Sequence, residues 1–378
     1  MDGKEALFQL EQVLDEESVG TWMEDKTSYT FLWQGAQRYV AKTNCLTSYQ
    51  DITTVADQTN YALDAKFMKL YLRDKSNRWY VRYRPTILTG AADATESSYL
   101  HDADGGFAAT NVGNIVWNTT DDTYTTVSAY VDSGQLTLTE HIMASGETYI
   151  LYSSDSFLTW KDYEHIISAN QFTANDAVDI PSHFSIRDQQ TMYSQITGTA
   201  TSTAADAAGQ VTLTDTSALF TTTDYVSPGD TIHNTTDAST GVVLSITDAT
   251  NLECALFDVS DSGSDCDWTS SDAYVIQPQG RLELILTPPP DDASDTVRVW
   301  YVERPEPVFS DYGVYRFQQK AMEAIIEYAA AKYKYRDEEI RFAEEFLVNW
   351  DRKVKEDDAN LRPMIKQKGF TVNFKKRR

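Results

Sequence analysis

Two apolar stripes of helical period near the C-terminal end limit what this chain can fold into, because neither can be buried by the other alone. In the first, Phe317, Ala321, Ile325 and Tyr328 recur at three- and four-residue steps, widened by Met322, Ile326, Ala329 and Tyr333. In the second, Ile340, Ala343, Phe346, Leu347, Trp350 and Val354 keep the same period. Asp337 is placed to cap the second helix, with Glu338 and Glu339 in its first turn, and Asp311 can start the first. A hairpin over residues 314–358 leaves a wide stripe of each helix uncovered, so the covering surface must come from elsewhere in the chain.

The N-terminal end supplies it. Residues 4–19 place Ala6, Leu7, Leu10, Val13 and Leu14 on one side, and residues 28–42 place Tyr29, Leu32, Trp33, Ala36 and Val40, with Asn44 able to end the helix. The expected core sets Leu32, Trp33, Ala36 and Val40 against Ile325, Ala329, Phe346, Leu347 and Trp350. The two ends of the chain would close one helical unit, with everything between them inserted.

Between the helices the period switches to two. Phe67, Lys69 and Tyr71 alternate with Met68, Leu70 and Leu72, the turn residues Asp74, Lys75, Ser76 and Asn77 follow, and Trp79, Val81 and Tyr83 alternate with Arg78, Arg82 and Arg84. This predicts a hairpin. A second is predicted where Leu282, Leu284 and Leu286 precede Pro288, Pro289 and Pro290 and Val297, Val299 and Tyr301 follow, both sharing one sheet. Ile166, Ile167, Phe172, Phe184 and Ile186 offer further strands.

Inside this frame lies a repeat. Gly113-Asn114-Ile115-Val116-Trp117-Asn118-Thr119-Thr120-Asp121 matches Gly229-Asp230-Thr231-Ile232-His233-Asn234-Thr235-Thr236-Asp237, continuing through Val127 and Val243 and through Leu136 and Leu252. After a length change, Glu147-Thr148-Tyr149-Ile150 resembles Asp272-Ala273-Tyr274-Val275. Each copy has room for five or six short strands, and residues 197–208 read as a linker into the second. Asn-Thr-Thr-Asp is also a glycosylation acceptor pattern, but a turn closed by Asn and Asp side chains explains it better.

The fold class that follows is α+β: a helical bundle from N- and C-terminal helices on a small β-sheet, carrying two inserted, repeated small β-barrel or sandwich modules. The divisions expected are 1–91 (helices and first hairpin), 92–155 (first module), 156–196 (core strands), 197–277 (second module), 278–358 (second hairpin and helix pair) and 359–378 (a basic extended tail). Each module would be a self-contained decoration that deletion leaves behind harmlessly.

Charge is unevenly spread. The net charge of −25 becomes −32 once the seven Lys/Arg of residues 361–378 are set aside, a segment with no acid. The acidic body opposes binding to nucleic acid phosphates. The tail alternates Phe370, Val372 and Phe374 with polar residues and ends in Lys375, Lys376, Arg377 and Arg378, the pattern of a strand added to a partner's sheet with its basic end on an acidic surface.

Nothing in the sequence asks for catalysis or a cofactor. The five histidines share no metal-ligand spacing with each other or with cysteine, and Asp258, Asp261, Asp265 and Asp267 lack the spacing of a calcium loop. No Gly-rich phosphate loop, nucleophile elbow or redox Cys-x-x-Cys is present. Cys254 and Cys266 are close enough in sequence to pair, though buried reduced thiols are the simpler reading. No secretory signal or run of about 20 apolar residues occurs, which predicts a soluble protein made in the cytosol with no membrane partner.

Several stretches resemble the head-to-tail adaptor (head completion, connector or neck ring) proteins of tailed bacteriophages. They are Leu32-Trp33-Gln34-Gly35-Ala36-Gln37-Arg38, then Thr53-Thr54-Val55-Ala56-Asp57-Gln58-Thr59-Asn60-Tyr61-Ala62-Leu63, the helix holding Ala329-Ala330-Ala331, the helix after Asp337 and the C-terminal extension. The repeated module resembles small β-modules of phage structural proteins, although compact adaptors carry no such inserts. The resemblance implies a virion protein of the neck, made in host cytoplasm, forming a homo-oligomeric ring of about twelve copies. The ring would join the portal protein to a downstream tail or nozzle protein and let genomic DNA pass without sequence-specific binding, its C-terminal tail docked on the portal. An alternative keeps the fold and makes the protein a tail or baseplate component whose modules bind carbohydrate or another virion protein, with Trp117 and Trp268 as stacking platforms, although core tryptophans are the simpler reading of both.

Overall fold

The computed structural model describes residues 1–14, 25–71, 79–153, 156–164, 180–188, 195–207, 209–222, 224, 226–257, 266–278 and 281–361. The fold is α+β, with helices at the N- and C-terminal ends of the chain and strands between them. Four α-helices are described: α1 (Gly3–Leu14), α2 (Asp25–Thr43), α3 (Gln319–Arg336) and α4 (Ile340–Leu361).

α3 is buried over most of its circumference, with Lys320 and Glu323 left on a narrow exposed strip. Ala321, Ala324, Ile325, Tyr328, Ala329, Ala330, Ala331 and Tyr333 are all sealed, and α1, α2 and α4 each pack on it. Small residues set the approach: a side chain at Gly35 would meet the carbonyl of Ile325 at 2.9 Å, so α2 can cross α3 this closely only through a glycine. Leu10, Leu32, Ala36, Ile325, Ala329, Trp350 and Val354 belong to one apolar cluster. Val13, expected inward, is exposed.

The caps differ from expectation. Asp337 ends α3, its N–H donating to the Tyr333 carbonyl and the Glu338 N–H to that of Tyr335, because Glu338 takes a left-handed turn (φ 61°) before α4 begins. α3 starts after Gln318 rather than at Asp311, whose carboxylate instead accepts from Tyr29 Oη at 3.1 Å and whose carbonyl accepts from Lys4 N. Asn44 leaves α2 with φ 52°, as its position suggests.

Two sheets face each other across a second core. The first runs β1 (Thr47–Thr53), β21 (Thr296–Glu303), β4 (Val81–Arg84), β11 (Ser156–Phe157), with β3 (Phe67–Leu70) also on β21. The second runs β12 (Thr159–Trp160), β13 (His183–Asp188), β20 (Leu282–Thr287), β2 (Asn60–Ala62). Val81, Tyr83, Val297, Val299 and Tyr301 meet Phe184, Leu284 and Leu286 between them. Neither predicted hairpin forms. β3 and β4 both pair with β21 instead of each other, and β20 and β21 lie in different sheets. The run Pro288-Pro289-Pro290 offers no N–H for a two-stranded turn and carries the chain across the sandwich. The turn residues 74–77, like Ile166, Ile167 and Phe172, fall outside the described residues.

The repeat becomes two six-stranded sheets of one topology. The first runs β5 (Thr86–Ala91), β10 (Thr148–Tyr152), β7 (Ile115–Asn118), β8 (Thr123–Asp132), β9 (Gln135–Leu138), β6 (Tyr99–His101). The second runs β14 (Ile196–Thr199), β19 (Ala273–Gln277), β16 (Thr231–Asn234), β17 (Ser239–Ile246), β18 (Asn251–Phe257), β15 (Val211–Thr214). Each is an open sheet around its own core. The start of the stretch expected as a linker is β14 itself.

Matching side chains hold both copies together. Asn118 Oδ1 accepts from the backbone of Thr120 (2.9 Å) and Asp121 (3.2 Å), and Asn234 Oδ1 from Thr236 (3.0 Å) and Asp237 (3.1 Å), so the Asn-Thr-Thr-Asp motif is a turn. Tyr149 Oη donates to Asp102 at 2.7 Å and Tyr274 Oη to Asp215 at 2.8 Å, each pair roofed by a glycine, Gly90 or Gly198. Burial, then the adjoining carboxylate, pushes both phenols above their ordinary range. An added methyl at either glycine would collide with tyrosine and aspartate together. Gly198→Ala should therefore destabilise the second module by about 1–3 kcal/mol, read as a lower denaturant midpoint, and Gly90→Ala should do the same to the first.

Candidate functional site

The residues expected to form the helical core lie where α2, α3 and α4 meet. Leu32, Ala36, Val40, Ile325 and Ala329 are buried, Trp350 nearly so, and Trp33, Phe346 and Leu347 are half-buried against the cluster. Phe370, Val372, Phe374, Lys375, Lys376, Arg377 and Arg378 fall outside the described residues. Close to the end of α4 opens a cavity of about 650 Å³ lined by Tyr39, Cys45, Phe317, Lys320, Ala321 and Asp357. Asp357 accepts there from Tyr39 Oη at 3.1 Å.

The densest polar chemistry sits where the first module meets the sandwich. On β21, Arg298 is buried and grips Asp51 of β1 with two bonds, Nε to Oδ1 at 2.7 Å and Nη2 to Oδ2 at 2.6 Å. Its guanidinium lies 4.0 Å from the Tyr49 ring centre, 5.2 Å from those of Trp117 and Tyr124, and 5.5 Å from that of Trp300. Burial works against this charge, yet Asp51 holds the guanidinium above its ordinary pKa. Arg84 repeats the arrangement between Tyr124 and Tyr152 at 5.3 and 5.2 Å. Burial pushes the Tyr124 phenol up to about 12.

Asp122, just past the Asn-Thr-Thr-Asp turn, completes this joint. It accepts from Trp117 Nε1 at 3.0 Å, from Tyr124 Oη at 3.1 Å and from Tyr49 Oη. Burial alone would raise its pKa, but these bonds and the charge of Arg298 outweigh it and lower the carboxyl below its ordinary value. Sequence reasoning missed this cluster. The visible signal was the alternation of arginine and aromatic residues in β4 and β21, whose polar face turns toward the module rather than toward water.

The second module is seated differently. Arg281 Nη2 donates to Asp230 at 2.7 Å with both side chains buried. Trp33 covers Gly229 and donates from Nε1 to the Pro305 carbonyl at 3.0 Å. Lys26 pairs with Asp206 at 2.8 Å and also donates to the Leu256 carbonyl. Phe257 meets Phe309 edge-on at 5.9 Å, and Leu244 and Ala255 belong to the helical cluster. This module is thus part of the core, not a decoration. Removing residues 197–277 would bare Phe309 and strip Asp230 from Arg281.

Trp268 is no stacking platform. It is fully buried and donates from Nε1 to Cys254 Sγ at 3.4 Å, while burial pushes the Cys254 thiol up to about 12. Cys45, Cys254 and Cys266 are free thiols. Trp117, half-buried, stacks on Tyr124 with ring centres 5.7 Å apart inside the Arg298 joint.

The carboxylates do internal work of the same kind. Tyr83 donates to Asp295 and Tyr301 to Asp64 in the sandwich, as Tyr149 and Tyr274 do in the modules. Among the described residues, no group of three or more His, Cys, Asp or Glu is placed to hold a metal ion, and no helix is long and apolar enough to cross a membrane. No protein-family model matches the chain, and no curated protein is significantly similar to it in sequence.

The geometry supplies rigid connection through buried charge. Arg298→Ala leaves Asp51 without its bidentate partner and uncovers four rings, and should cost about 3–5 kcal/mol in denaturant unfolding followed by tryptophan fluorescence. Because the Asp122 pKa is depressed on folding, its contribution is present above the ordinary aspartate value of about 3.9 and is lost as pH falls through the depressed value. Trp117 fluorescence should titrate in that acid window, and Asp122→Asn should flatten the curve.

Proposed function

We propose that the protein is a structural component of a tailed-phage virion: a ring-forming head-to-tail adaptor that joins the portal to the tail and walls the DNA exit channel. The observation that carries this reading is the way both modules are locked to the core. Arg298 with its aromatic cage and the buried Arg281–Asp230 pair turn three folded units into one stiff body, as a load-bearing joint requires. Acidic residues that secure such joints leave a body of net charge −32, which lets phosphates pass without adhering. The partners are other copies of the chain in a ring of about twelve, the portal protein and a downstream tail or nozzle protein; the site is the neck of the virion. The alternative of a carbohydrate-binding tail or baseplate component is weakened by Trp268 and Trp117, whose rings are engaged inside the protein.

The tail is where adaptor and portal meet. Main-chain bonds from a strand through Phe370, Val372 and Phe374 give affinity, those side chains set register, and Lys375–Arg378 speed encounter with an acidic surface. Removal of residues 367–378 should spare folding and abolish retention on portal-filled heads in a pull-down. Replacing only the four basic residues by serine should weaken retention less, and chiefly at low salt, since exposed charges are screened beyond about 8–10 Å at physiological ionic strength. Retention of the truncated chain equal to full length would overturn the role of the tail, and micrographs showing only monomers would overturn the ring.

A further inference from the structure

Arg304, just beyond β21, differs from three other arginines of this protein that each meet an acid. Arg298 has Asp51, Arg281 has Asp230 and Arg187 has Glu283. Arg304 is half-buried, and its guanidinium makes no hydrogen bond and no ion pair within 4 Å among the described residues. None of its nitrogens is sealed from solvent, so the donors face open space. Burial, and then the neighbouring charge of Arg281, hold its pKa below the ordinary value, with Asp230 opposing only in part.

That open space is a cavity of about 240 Å³ between the segment following β21 and Gln210 of the second module. Arg316, highly exposed, also lines it and touches Glu306 only loosely at 3.8 Å. Glu303 and Glu306 also line the cavity, but Lys66 takes Glu306 at 2.7 Å and Glu303 at 3.7 Å, and this pairing lowers the Glu306 carboxyl. An unmatched, partly dry guanidinium in a chain of net charge −25 is a poor internal arrangement and a good receptor.

We propose that the Arg304 cavity is a carboxylate socket, filled by one acidic side chain of a neighbouring copy of the chain. The volume lies below the roughly 300 Å³ at which small-molecule sites begin, yet has room for one side chain. A guanidinium fork fits a planar carboxylate with two parallel bonds, and Arg316 guides the approach. A second copy is the occupant because its acid-rich surface brings carboxylates in excess. A plug placed away from the socket makes the contact head-to-tail, the kind that forms a ring when its rotation closes; this rests on the ring-forming reading above.

Assembly of the full-length chain should be followed by mass photometry over a range of protein and salt concentrations, with the melting midpoint of dilute protein measured alongside. Arg304→Gln should raise the concentration for half-assembly by about thirtyfold or more, while leaving the melting midpoint unchanged or higher, because no internal partner is lost. Arg304→Lys, which keeps the charge without the fork, should fall between. If Arg304→Gln assembles like the parent at every salt concentration, the socket is wrong and the ring stands. If the parent chain stays monomeric throughout, both fall. A clear drop in the melting midpoint of Arg304→Gln would make Arg304 an internal structural residue and overturn the socket.

Discussion

The enclosure of α3 is the constraint on which the rest of the molecule depends. A helix with Ala324, Ile325, Ala329, Ala330 and Ala331 spread round most of its circumference has only a narrow strip, at Lys320 and Glu323, to offer water, and its own neighbour α4 covers only part of the rest. The remainder is covered by α1 and α2 from the opposite end of the chain and, around the same cluster, by Leu244 and Ala255 of the second module. Alanines and Gly35 keep the helices close, so the gain comes from many short contacts rather than a few large side chains. The sandwich sits beneath this unit because β1 follows directly from α2 and β21 runs back toward α3.

The helices were legible in the sequence because a 3.6-residue period survives any tertiary arrangement, and the Asn-Thr-Thr-Asp turns because Asn118 and Asn234 close them with their own side chains. Strand partners were not legible. Period two marks Val81, Tyr83, Val297 and Val299 as strand residues but does not say which edges join, and nearness in sequence suggested hairpins where β21 gathers three strands from distant places. The Tyr–Asp–Gly sets escaped for a related reason. Gly90, Asp102 and Tyr149 lie on three strands or their ends, and the separations between them differ from those of Gly198, Asp215 and Tyr274. The Arg298 joint was hidden because an alternating arginine normally marks a solvated face, and only the docking of Trp117 and Tyr124 turns that face inward.

The two modules share an interior and diverge where they attach. The first is held through the turn that ends β7, where Asp122 reaches Tyr49. The second is held through the start of the equivalent strand, where Gly229 lies under Trp33 and Asp230 meets Arg281. Equivalent strands are thus seated by opposite ends, one on the sandwich alone and one on α2 together with the residue that leads into β20. The internal hydrogen bonds that a copy needs to fold have been kept, while the surface that decides its position has been rewritten.

The bridge between Asp2 and Val314 bears on how the protein is made. α1 and α2 leave the ribosome first, yet most of what they pack against is encoded beyond residue 314. Both β-modules, whose strands pair within short stretches of chain, can condense while the early helices still wait with Leu7, Leu10 and Leu32 uncovered. Folding therefore runs from the middle of the chain outward, and the apolar faces of α1 and α2 stay uncovered until α3 and α4 have been made.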